Sequence, residues 1–276
     1  MHEIDQPAYA YFRRTPLRHI VHLKYLAHHP GQFDTRYIGV GGSEAALLSG
    51  CVEVTAWDRG QYPMLDLMLL PSASDAVAAA ELVRLIQTEF SVPTTRTLFK
   101  FCDPFSRDAL TTAFRLYPTR TYLSFTFPED VPAYEKHPGV VVGSLLDDAR
   151  AALYQQNGYM LDELEAMVAR GALTFALYEK SDLISVCLAY CNFERVWEIG
   201  GVRTVDHARN QGAARRVVET ALHELRLREL IPRYHVEDVN APSIGLAQSL
   251  GLVECTRIEH FVTASPSAAS HEDALA

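Results

Sequence analysis

The sequence predicts a mixed α/β fold in two halves that share one order of secondary-structure elements. Three observations support this prediction. Short β-branched and apolar runs are typical of strands, and longer segments with apolar residues at three-to-four spacing are typical of helices. Proline, glycine and charged residues separate these segments. With 276 residues, 48% of them hydrophobic, the chain is long enough for two ordinary domains whose cores need no disulfide or metal.

The C-terminal half begins with two segments of helical periodicity and continues as a strand-rich region. A proline closes its longest helix, and a glycine closes its shortest. The helices are predicted at 143–156, 161–171, 211–230 and 241–250, and the strands at 173–180, 181–193, 195–205, 233–239 and 252–263. After the first two helices, the predicted order is β-β-β-α-β-α-β.

The N-terminal half repeats that order. Its strands are predicted at 34–41, 46–57, 63–71, 95–102 and 119–127, and its helices at 74–90 and 103–117. The matching lengths favour an internal structural duplication, although mixed α/β chains also repeat such orders by chance. The proline-rich and charged segment 128–139 is the predicted linker.

Composition limits the classes of partner. A net charge of −9 disfavours a nucleic-acid binder, because phosphates require a basic surface, and it is compatible with cationic substrates. The N-terminus lacks the apolar core of a signal peptide, and no apolar run reaches the length of a membrane span. We therefore expect a soluble, cytoplasmic protein without a membrane partner, as a monomer or homodimer, with a disordered polar tail at 266–276.

The stretch RNQGAA, residues 209–214, joins a predicted strand to the longest predicted helix of this half. Backbone N–H groups at the start of a helix, together with the helix dipole, form a binding site for a phosphate or diphosphate. Gly212 would let an anion approach the main chain, because it has no Cβ. The alternative is a tight turn whose small residues serve packing. The chain lacks both GxGxxG and GxxxxGK[ST], which argues against a Rossmann or Walker turn.

This turn resembles the acetyl-CoA-binding signature of the GNAT superfamily of N-acetyltransferases, R/Q-x-x-G-x-G/A. Arg209, Gly212 and Ala214 stand at its three defined positions. Downstream, NAPSIGLAQSLGLVE resembles the family's N-x-x-S/A…l-G-F segment, with leucine in place of the phenylalanine. The two signatures follow the family's order, with a helix and a strand between them. The resemblance covers about residues 140–263.

The resemblance implies two GNAT-like domains in tandem. Residues 131–265 would form the acetyl-CoA-binding domain, and residues 1–130 a degenerate domain that lacks the signature. In that half, Pro71 removes a donor from the corresponding turn and Asp75 would repel a phosphate. Acetyl-CoA would be the co-substrate, and no metal is expected.

The resemblance also implies which residues would contact acetyl-CoA. Val202, Arg203 and Thr204 would pair their backbone with the pantetheine arm. The diphosphate would rest on the turn and on the first residues of the following helix. Asn240 and Ser243 would contact the arm from the next element. The residues expected around the diphosphate are Arg209, Asn210, Gln211, Gly212, Ala213, Ala214 and Arg215.

Glu198 is the predicted general base. It precedes Thr204 by six residues, a span of about 20 Å in a strand, and several GNAT enzymes have a glutamate at this offset. Strand alternation predicts that both residues, with Gly200 between them, share one face. The alternative is a solvent-facing glutamate paired with an arginine. The neighbouring glycines, Gly200 and Gly201, predict a bulge or a backbone that a ligand approaches closely.

The sequence departs from the family at the residue that protonates the leaving thiolate. Many members have a tyrosine seven residues after the asparagine, where this chain has Ala247. Solvent or another group would then supply the proton, and Tyr190, Tyr234 and His235 are the candidates, although each is also an ordinary strand residue.

The predicted function is transfer of an acetyl group from acetyl-CoA to a primary amine, directly and within a ternary complex. The expected acceptor is a small molecule, and a protein amine is the other option. Two alternatives from different classes are a non-catalytic acyl-CoA-binding or scaffold protein and a nucleotide-binding α/β regulator. The missing nucleotide-binding loops argue against the second alternative.

Overall fold

The computed structural model describes residues 6–54, 56–92 and 95–263. The predicted tail, 266–276, lies outside the described residues. The first part of the chain forms α1 (Gln6–Arg14), α2 (Ile20–His28), β1 (Phe33–Val40), β2 (Ser43–Cys51), α3 (Ala56–Gln61), β3 (Leu67–Ala73), α4 (Ala76–Glu89), β4 (Thr97–Phe101), α5 (Pro104–Ala113) and β5 (Tyr117–Thr126).

The second part of the chain repeats the strand and helix order. It forms β6 (Val140–Gly143), α6 (Asp148–Gln155), α7 (Leu161–Ala169), β7 (Leu173–Glu179), β8 (Asp182–Phe193), β9 (Val196–Thr204), α8 (Ala213–Leu227), β10 (Ile231–Glu237), α9 (Ala241–Ser249) and β11 (Val253–Val262). The mixed α/β class is confirmed, and so is the β-β-β-α-β-α-β order of the C-terminal half after α7. The N-terminal half follows the same order, except that α3 is inserted between β2 and β3.

Four elements were not predicted: α1, α2, α3 and β6. The predicted strand 46–57 is wrong beyond Cys51, where a short 3-10 turn and then α3 follow. The alternating pattern of that segment is typical of a strand, but a tertiary contact overrides it. Asp58 of α3 is buried against Lys100 of β4, and the distance between their charged atoms is 2.5 Å.

The chain divides into two compact units. The N-terminal unit comprises Met1–Tyr122 and Thr256–Ala276, and the C-terminal unit comprises Leu123–Cys255. The strands β5 and β11 therefore contribute residues to both units. The predicted domain boundaries, after residues 130 and 265, follow the sequence and do not include this exchange of strand segments.

Each unit contains one parallel strand pair within otherwise antiparallel neighbours. The strand order of the N-terminal unit is β1-β2-β3-β4-β11, and β3 pairs with β4 in parallel. The order of the C-terminal unit is β6-β7-β8-β9-β10-β5, and β9 pairs with β10 in parallel. In both units a helix connects the two parallel strands, as a parallel crossover requires.

In the C-terminal unit, apolar clusters cover both faces of the sheet. On one face the core includes Ile199 of β9 and the buried stripe of α8, with Val217, Ala221 and Leu225 at three-to-four spacing. On the other face a second cluster joins β8 to α6 and α7, and it includes Tyr190. This sandwich fixes β9 in the middle of the unit.

Candidate functional site

The parallel strands β9 and β10 separate partway along their length. They pair from Val196 with Ile231 to Ile199 with Tyr234. Beyond this point the residues of both strands line a cleft of about 260 Å³. The cleft lining comprises Ile199, Gly200, Gly201 and Val202 of β9, Tyr234, His235, Val236 and Glu237 of β10, and Asn157, Tyr159, Asn240 and Ser243.

A bulge in β9 lies at the mouth of this separation, as the two glycines predict. Between the pairs of Leu188 with Gly200 and of Val186 with Arg203, β9 has one residue more than β8. Gly201 in this segment has a φ of 61°, in the left-handed region that favours glycine. The prediction of a bulge is confirmed.

The bulge corrects the prediction that Glu198, Gly200, Val202 and Thr204 share one face. An extra residue shifts the alternation, so that Arg203 takes the face of Glu198 and Gly200. Thr204 lies on the opposite face, where its hydroxyl is 2.8 Å from the Ser185 hydroxyl.

Glu198 lies just before the separation, in a buried polar cluster. Its side chain accepts hydrogen bonds from three donors. Tyr190 donates to Oε1, and the Arg233 guanidinium and Asn192 Nδ2, the latter at 2.8 Å, donate to Oε2. Glu198 is 7% exposed and Arg233 is 2% exposed. The glutamate therefore pairs with an arginine, but it does not face solvent as the alternative prediction supposed.

Two tyrosines lie beside Gly200. A Cβ added to Gly200 would lie 2.9 Å from the Tyr159 hydroxyl and 3.8 Å from the Tyr190 hydroxyl. Glycine at this position thus makes room for both phenols. Burial, followed by the charge of Glu198, raises the pKa of both tyrosines above the ordinary value, well above it for Tyr190, so both hydroxyls stay protonated at neutral pH.

The turn before α8 contains two residues in the left-handed region and no side-chain cap. Asn210 and Gly212 have left-handed φ values of 60° and 80°. Gly212 is the N-cap of α8 and gives no side-chain capping hydrogen bond. A Cβ placed on it would meet nothing within 4 Å, so the space before the first helical amides is open. Ala213 and Ala214 begin the helix and keep this end small.

The side chains around this turn are held by neighbouring groups. Arg209 pairs with Asp206 at 2.5 Å, and Gln211 donates to the carbonyl of His207 at 2.9 Å. Arg215 donates to the carbonyl and hydroxyl oxygens of Ser249, both at 3.1 Å. Arg209 and Arg215 are both exposed and lie near the start of α8, where they add positive charge.

The residues predicted along the pantetheine arm have different surroundings. Val202 lines the cleft, and its carbonyl accepts a hydrogen bond from Asn157 at 3.1 Å. The Arg203 side chain reaches Gln156 at 3.2 Å. Thr204 ends β9, and its carbonyl accepts from Arg209 at 3.4 Å.

Asn240 and Ser243 also line the cleft. Asn240 is the N-cap of α9, and its side chain accepts from the Ser243 amide at 3.2 Å. The Ser243 hydroxyl is 2.6 Å from the Tyr234 hydroxyl. Burial, more than any other cause, raises the pKa of Tyr234 to about 12. Ala247, at the position of the family's tyrosine, is fully buried in the apolar core.

The other two candidates for the thiolate acid have polar partners. Tyr190 points at Glu198, and His235 Nδ1 lies 2.9 Å from the Arg233 guanidinium and 3.0 Å from the Ser124 hydroxyl. Sequence reasoning missed Arg233, Asn192 and Tyr159. The register Glu198–Arg233 in a parallel pair is the signal that would have found the arginine.

Two further findings concern metals and membranes. Residues 6–54, 56–92 and 95–263 contain no group of three or more His, Cys, Asp or Glu side chains arranged to hold a metal ion. No helix within these ranges combines the length and the apolar character that a membrane span needs.

The comparison with protein families gives one match. Residues 165–259 match the model of a family described as GNAT acetyltransferase. The matched segment includes β7, β8, β9, α8, β10 and α9. The comparison with curated proteins found no match.

Several solved structures are similar in fold along nearly the whole chain. A GCN5-related N-acetyltransferase from Sphaerobacter thermophilus has a TM-score of 0.57 and 12% identity, with 94% of this chain and 92% of that chain covered. A GNAT-family acetyltransferase from Colwellia psychrerythraea also has a TM-score of 0.57 and 12% identity, with coverages of 92% and 96%.

A tandem GNAT protein from the clavulanic acid biosynthesis pathway has a TM-score of 0.51 and 10% identity, with 94% of each chain covered. At these identities the likeness concerns the fold, and it agrees with the repeated element order of the two halves. Residues 165–259 thus match a GNAT acetyltransferase domain, and the fold along the chain is similar to that of a tandem GNAT protein.

Proposed function

We propose that the C-terminal unit transfers an acetyl group from acetyl-CoA to the primary amine of a small molecule. Transfer is direct and takes place within a ternary complex. The observation that carries this proposal is the separation of β9 and β10 beyond Ile199 and Tyr234, close in sequence to an uncapped helix start at Gly212. The GNAT superfamily uses acetyl-CoA as its co-substrate, and a strand cleft with a helix start suits a long thioester arm that ends in a diphosphate.

The fit of acetyl-CoA depends on small side chains and free backbone. The N–H groups of Ala213, Ala214 and Arg215 belong to the first turn of α8, which no side chain caps. The diphosphate binds there, with Arg209 and Arg215 adding positive charge and Asn210 and Gln211 shaping the turn. The pantetheine arm follows Val202, Arg203 and Thr204, and Asn240 and Ser243 contact it from α9.

Glu198 accepts the proton that the amine loses. Tyr190, Asn192 and Arg233 each donate a hydrogen bond to it, which is the environment of a carboxylate anion. Its position, one residue before the last pair of β9 with β10, puts it at the closed end of the separation. A positioned base contributes about 10²- to 10⁴-fold to such a reaction.

The acceptor is an amine that carries positive charge before it reacts. The net charge of −9 attracts cations to the protein, which favours a small cationic amine as the acceptor. A protein amine, such as a lysine side chain, is the competing acceptor, and an assay with both classes separates them.

A second candidate function is non-catalytic binding of acyl-CoA. It is favoured by Ala247, which is buried in the apolar core where many relatives carry the acidic tyrosine. A binder would have the same cleft and the same helix start. It would be stabilised by acetyl-CoA but would show no turnover with any amine.

The test combines binding and turnover in one protein preparation. Acetyl-CoA at a hundred times its Kd should stabilise the fold by about 2.7 kcal/mol, while ATP and NAD should leave it unchanged. Release of free coenzyme A is then followed with a panel of primary amines. Stabilisation by nucleotides and indifference to acetyl-CoA would contradict the proposal.

Glu198→Gln tests the base. It should lower kcat by about 10²-fold or more and leave the Kd of acetyl-CoA unchanged. Glu224→Gln is the matched control, because Glu224 is also a buried glutamate with ion pairs. Its partners are Lys136 of the linker and Arg228, the residue after α8. Equal turnover of the Glu198→Gln variant and the wild type would remove Glu198 from the mechanism.

A further inference from the structure

The proposed base is separated from the cleft. Glu198 is 7% exposed, and the β9 residues that line the cleft begin at Ile199. Its Oε2 is occupied by Arg233 and Asn192, and its Oε1 accepts a hydrogen bond from Tyr190. A proton that comes from the cleft therefore reaches the carboxylate most directly through the Tyr190 hydroxyl.

Tyr159 continues this path into the cleft. It lines the cleft itself, and its side chain lies beside Gly200, as does that of Tyr190. A Cβ built on Gly200 would lie 2.9 Å from the Tyr159 hydroxyl and 3.8 Å from the Tyr190 hydroxyl, so both hydroxyls lie close to this position. The two hydroxyls therefore lie between the cleft, which Tyr159 lines, and the buried Glu198 carboxylate, to which Tyr190 donates.

We propose that Tyr159 and Tyr190 form a proton path that connects the acceptor amine in the cleft to Glu198. The proposal rests on the proposed acetyl transfer, and it adds two residues that the GNAT signatures do not include. Tyr159 touches the acceptor and is a catalytic residue. Tyr190 acts through Tyr159 and Glu198 and is a positioning residue.

The step moves one proton along the path. The charged acceptor first loses one proton to solvent. The neutral amine nitrogen then forms the C–N bond with the acetyl carbonyl carbon, and the C–S bond breaks with its electron pair on sulfur. The N–H proton passes to the Tyr159 oxygen as the Tyr159 proton passes to Tyr190 and the Tyr190 proton passes to Glu198 Oε1. Glu198 ends as the neutral acid, and the coenzyme A thiolate takes a proton from solvent.

Phenols suit this role because each can donate and accept a hydrogen bond at once. The pKa values of both tyrosines are raised, chiefly by burial, so neither is ionised at rest near neutral pH. Each phenol therefore has a proton to pass on when it receives one. Arg233 remains beside Glu198 and keeps Oε1 directed at Tyr190.

The experiment removes single hydroxyls and keeps the rings. Tyr159→Phe and Tyr190→Phe are compared with Tyr134→Phe, a matched control. Tyr134 is a buried tyrosine of the same unit whose hydroxyl donates to the Leu250 carbonyl at 3.1 Å. Turnover is measured with acetyl-CoA and a panel of primary amines that includes polyamines, aralkylamines and aminoglycosides. The Kd of acetyl-CoA is measured for every variant to show that the fold is intact.

The expected result is a fall of about 10²-fold in kcat for Tyr159→Phe, with the Kd of acetyl-CoA within twofold of the wild type. The double variant should lose no more than the worse single variant, because residues of one path act as a unit. The wild type should also show a curved dependence of kcat on the D2O fraction, as several moving protons produce, and Tyr159→Phe should show a straight one.

Three outcomes would overturn the proton path. They are wild-type turnover by Tyr159→Phe, an equal loss in Tyr134→Phe, and multiplicative losses in the double variant. A wild-type protein that binds acetyl-CoA without turning over any amine would instead overturn the proposed function, and the path with it. The first three outcomes leave the proposed acetyl transfer in place.

Discussion

Both units contain a parallel strand pair followed by a helix, but the two pairs end differently. In the C-terminal unit β9 and β10 separate and leave a cleft lined by Gly200 and Val202. In the N-terminal unit β3 pairs with β4 from Leu67 to Leu69, and beyond this point side chains from the N-terminal segment contact β3. The contrast teaches that a ligand can bind where a parallel strand pair ends, and that the surrounding side chains decide whether this end is an open cleft.

The protein atoms at the end of β3 come from α1 and α2. His22 Nε2 lies 3.2 Å from the carbonyl of Leu70, and His19 Nε2 lies 2.9 Å from the Ser72 hydroxyl. The Tyr11 hydroxyl lies 3.3 Å from the same serine hydroxyl. The β3 backbone and Ser72 thus have intramolecular partners where the C-terminal unit has a cleft.

The helix starts differ in the same sense. Asp75 caps α4, and its carboxylate accepts from the amides of Val77 and Ala78 at 2.9 and 3.0 Å. These hydrogen bonds lower the pKa of Asp75, so the carboxylate stays charged. Gly212 caps α8 without a side chain. A carboxylate in one unit occupies the kind of position that we propose a diphosphate takes in the other.

The largest effect should come from the buried ion pair of the N-terminal unit. Lys100→Met removes the cation beside the buried Asp58 carboxylate, at a cost of about 3–5 kcal/mol in the free energy of unfolding. Urea denaturation measures it. Lys136→Met, which removes a half-exposed partner of Glu224, should cost about 1 kcal/mol or less. A large change in acetyl-CoA affinity in Lys100→Met would break the comparison between the units.

Acidification should weaken the N-terminal unit next. Burial lowers the pKa of His19 from 6.5 to about 4. Below pH 6.5 the His19 imidazole is therefore protonated in the unfolded chain but stays neutral in the folded protein. The free energy of unfolding falls as the pH drops from 6.5 towards 4. The loss is about 3 kcal/mol over that window. His19→Gln should flatten the pH dependence of urea denaturation; an unchanged slope would exclude His19 as its source.

Gly212→Asp gives the start of α8 an aspartate cap like the one that Asp75 provides at the start of α4. A charged cap repels the diphosphate and occupies the free amides. We expect a cost of about 2 kcal/mol, or about 30-fold in the Kd of acetyl-CoA by calorimetry. Gly212→Ala carries the same left-handed strain without the charge and should bind far more tightly than the aspartate variant. Equal affinities of the two variants would mean that charge at this cap is irrelevant.

Arg215→Ala should have the smallest effect. Its side chain is 45% exposed, so solvent and salt screen its attraction to a phosphate. The expected cost is about 0.5 kcal/mol, roughly twofold in Kd, and it should shrink at high salt. Arg195→Ala, an exposed arginine at the β8–β9 turn, is the control and should bind like the wild type. A loss above tenfold would mean that the arginine contacts the phosphate in a shielded site.

Much of the fold was predictable because the strands and helices of both halves have strong periodicity. The α8 stripe of Val217, Ala221 and Leu225 is an example. The N-terminal helices were missed, although Ala8, Tyr11 and Phe12 have helical spacing, because polar residues surround them. The α3 segment failed for a different reason: the Lys100–Asp58 contact depends on residues 42 positions apart, which no local pattern shows.

The parts of the site that depend on backbone conformation were predictable. Glycine at positions 200, 201 and 212 indicated a bulge and an uncapped helix start, and both are present. The neighbours of Glu198 were not predictable, because Arg233 and Asn192 reach it through strand register and packing. The same reasoning failed for Thr204, since the bulge that the glycines predict also reverses the alternation beyond it.

The most direct test of the account is hydrogen exchange of the backbone amides with and without acetyl-CoA. The account predicts slower exchange at residues 200–204 and 213–216, the separated strand and the start of α8, and unchanged exchange at residues 70–78. Slower exchange at 70–78 with no change at 213–216 would contradict it, because the acetyl-CoA site would then lie in the N-terminal unit.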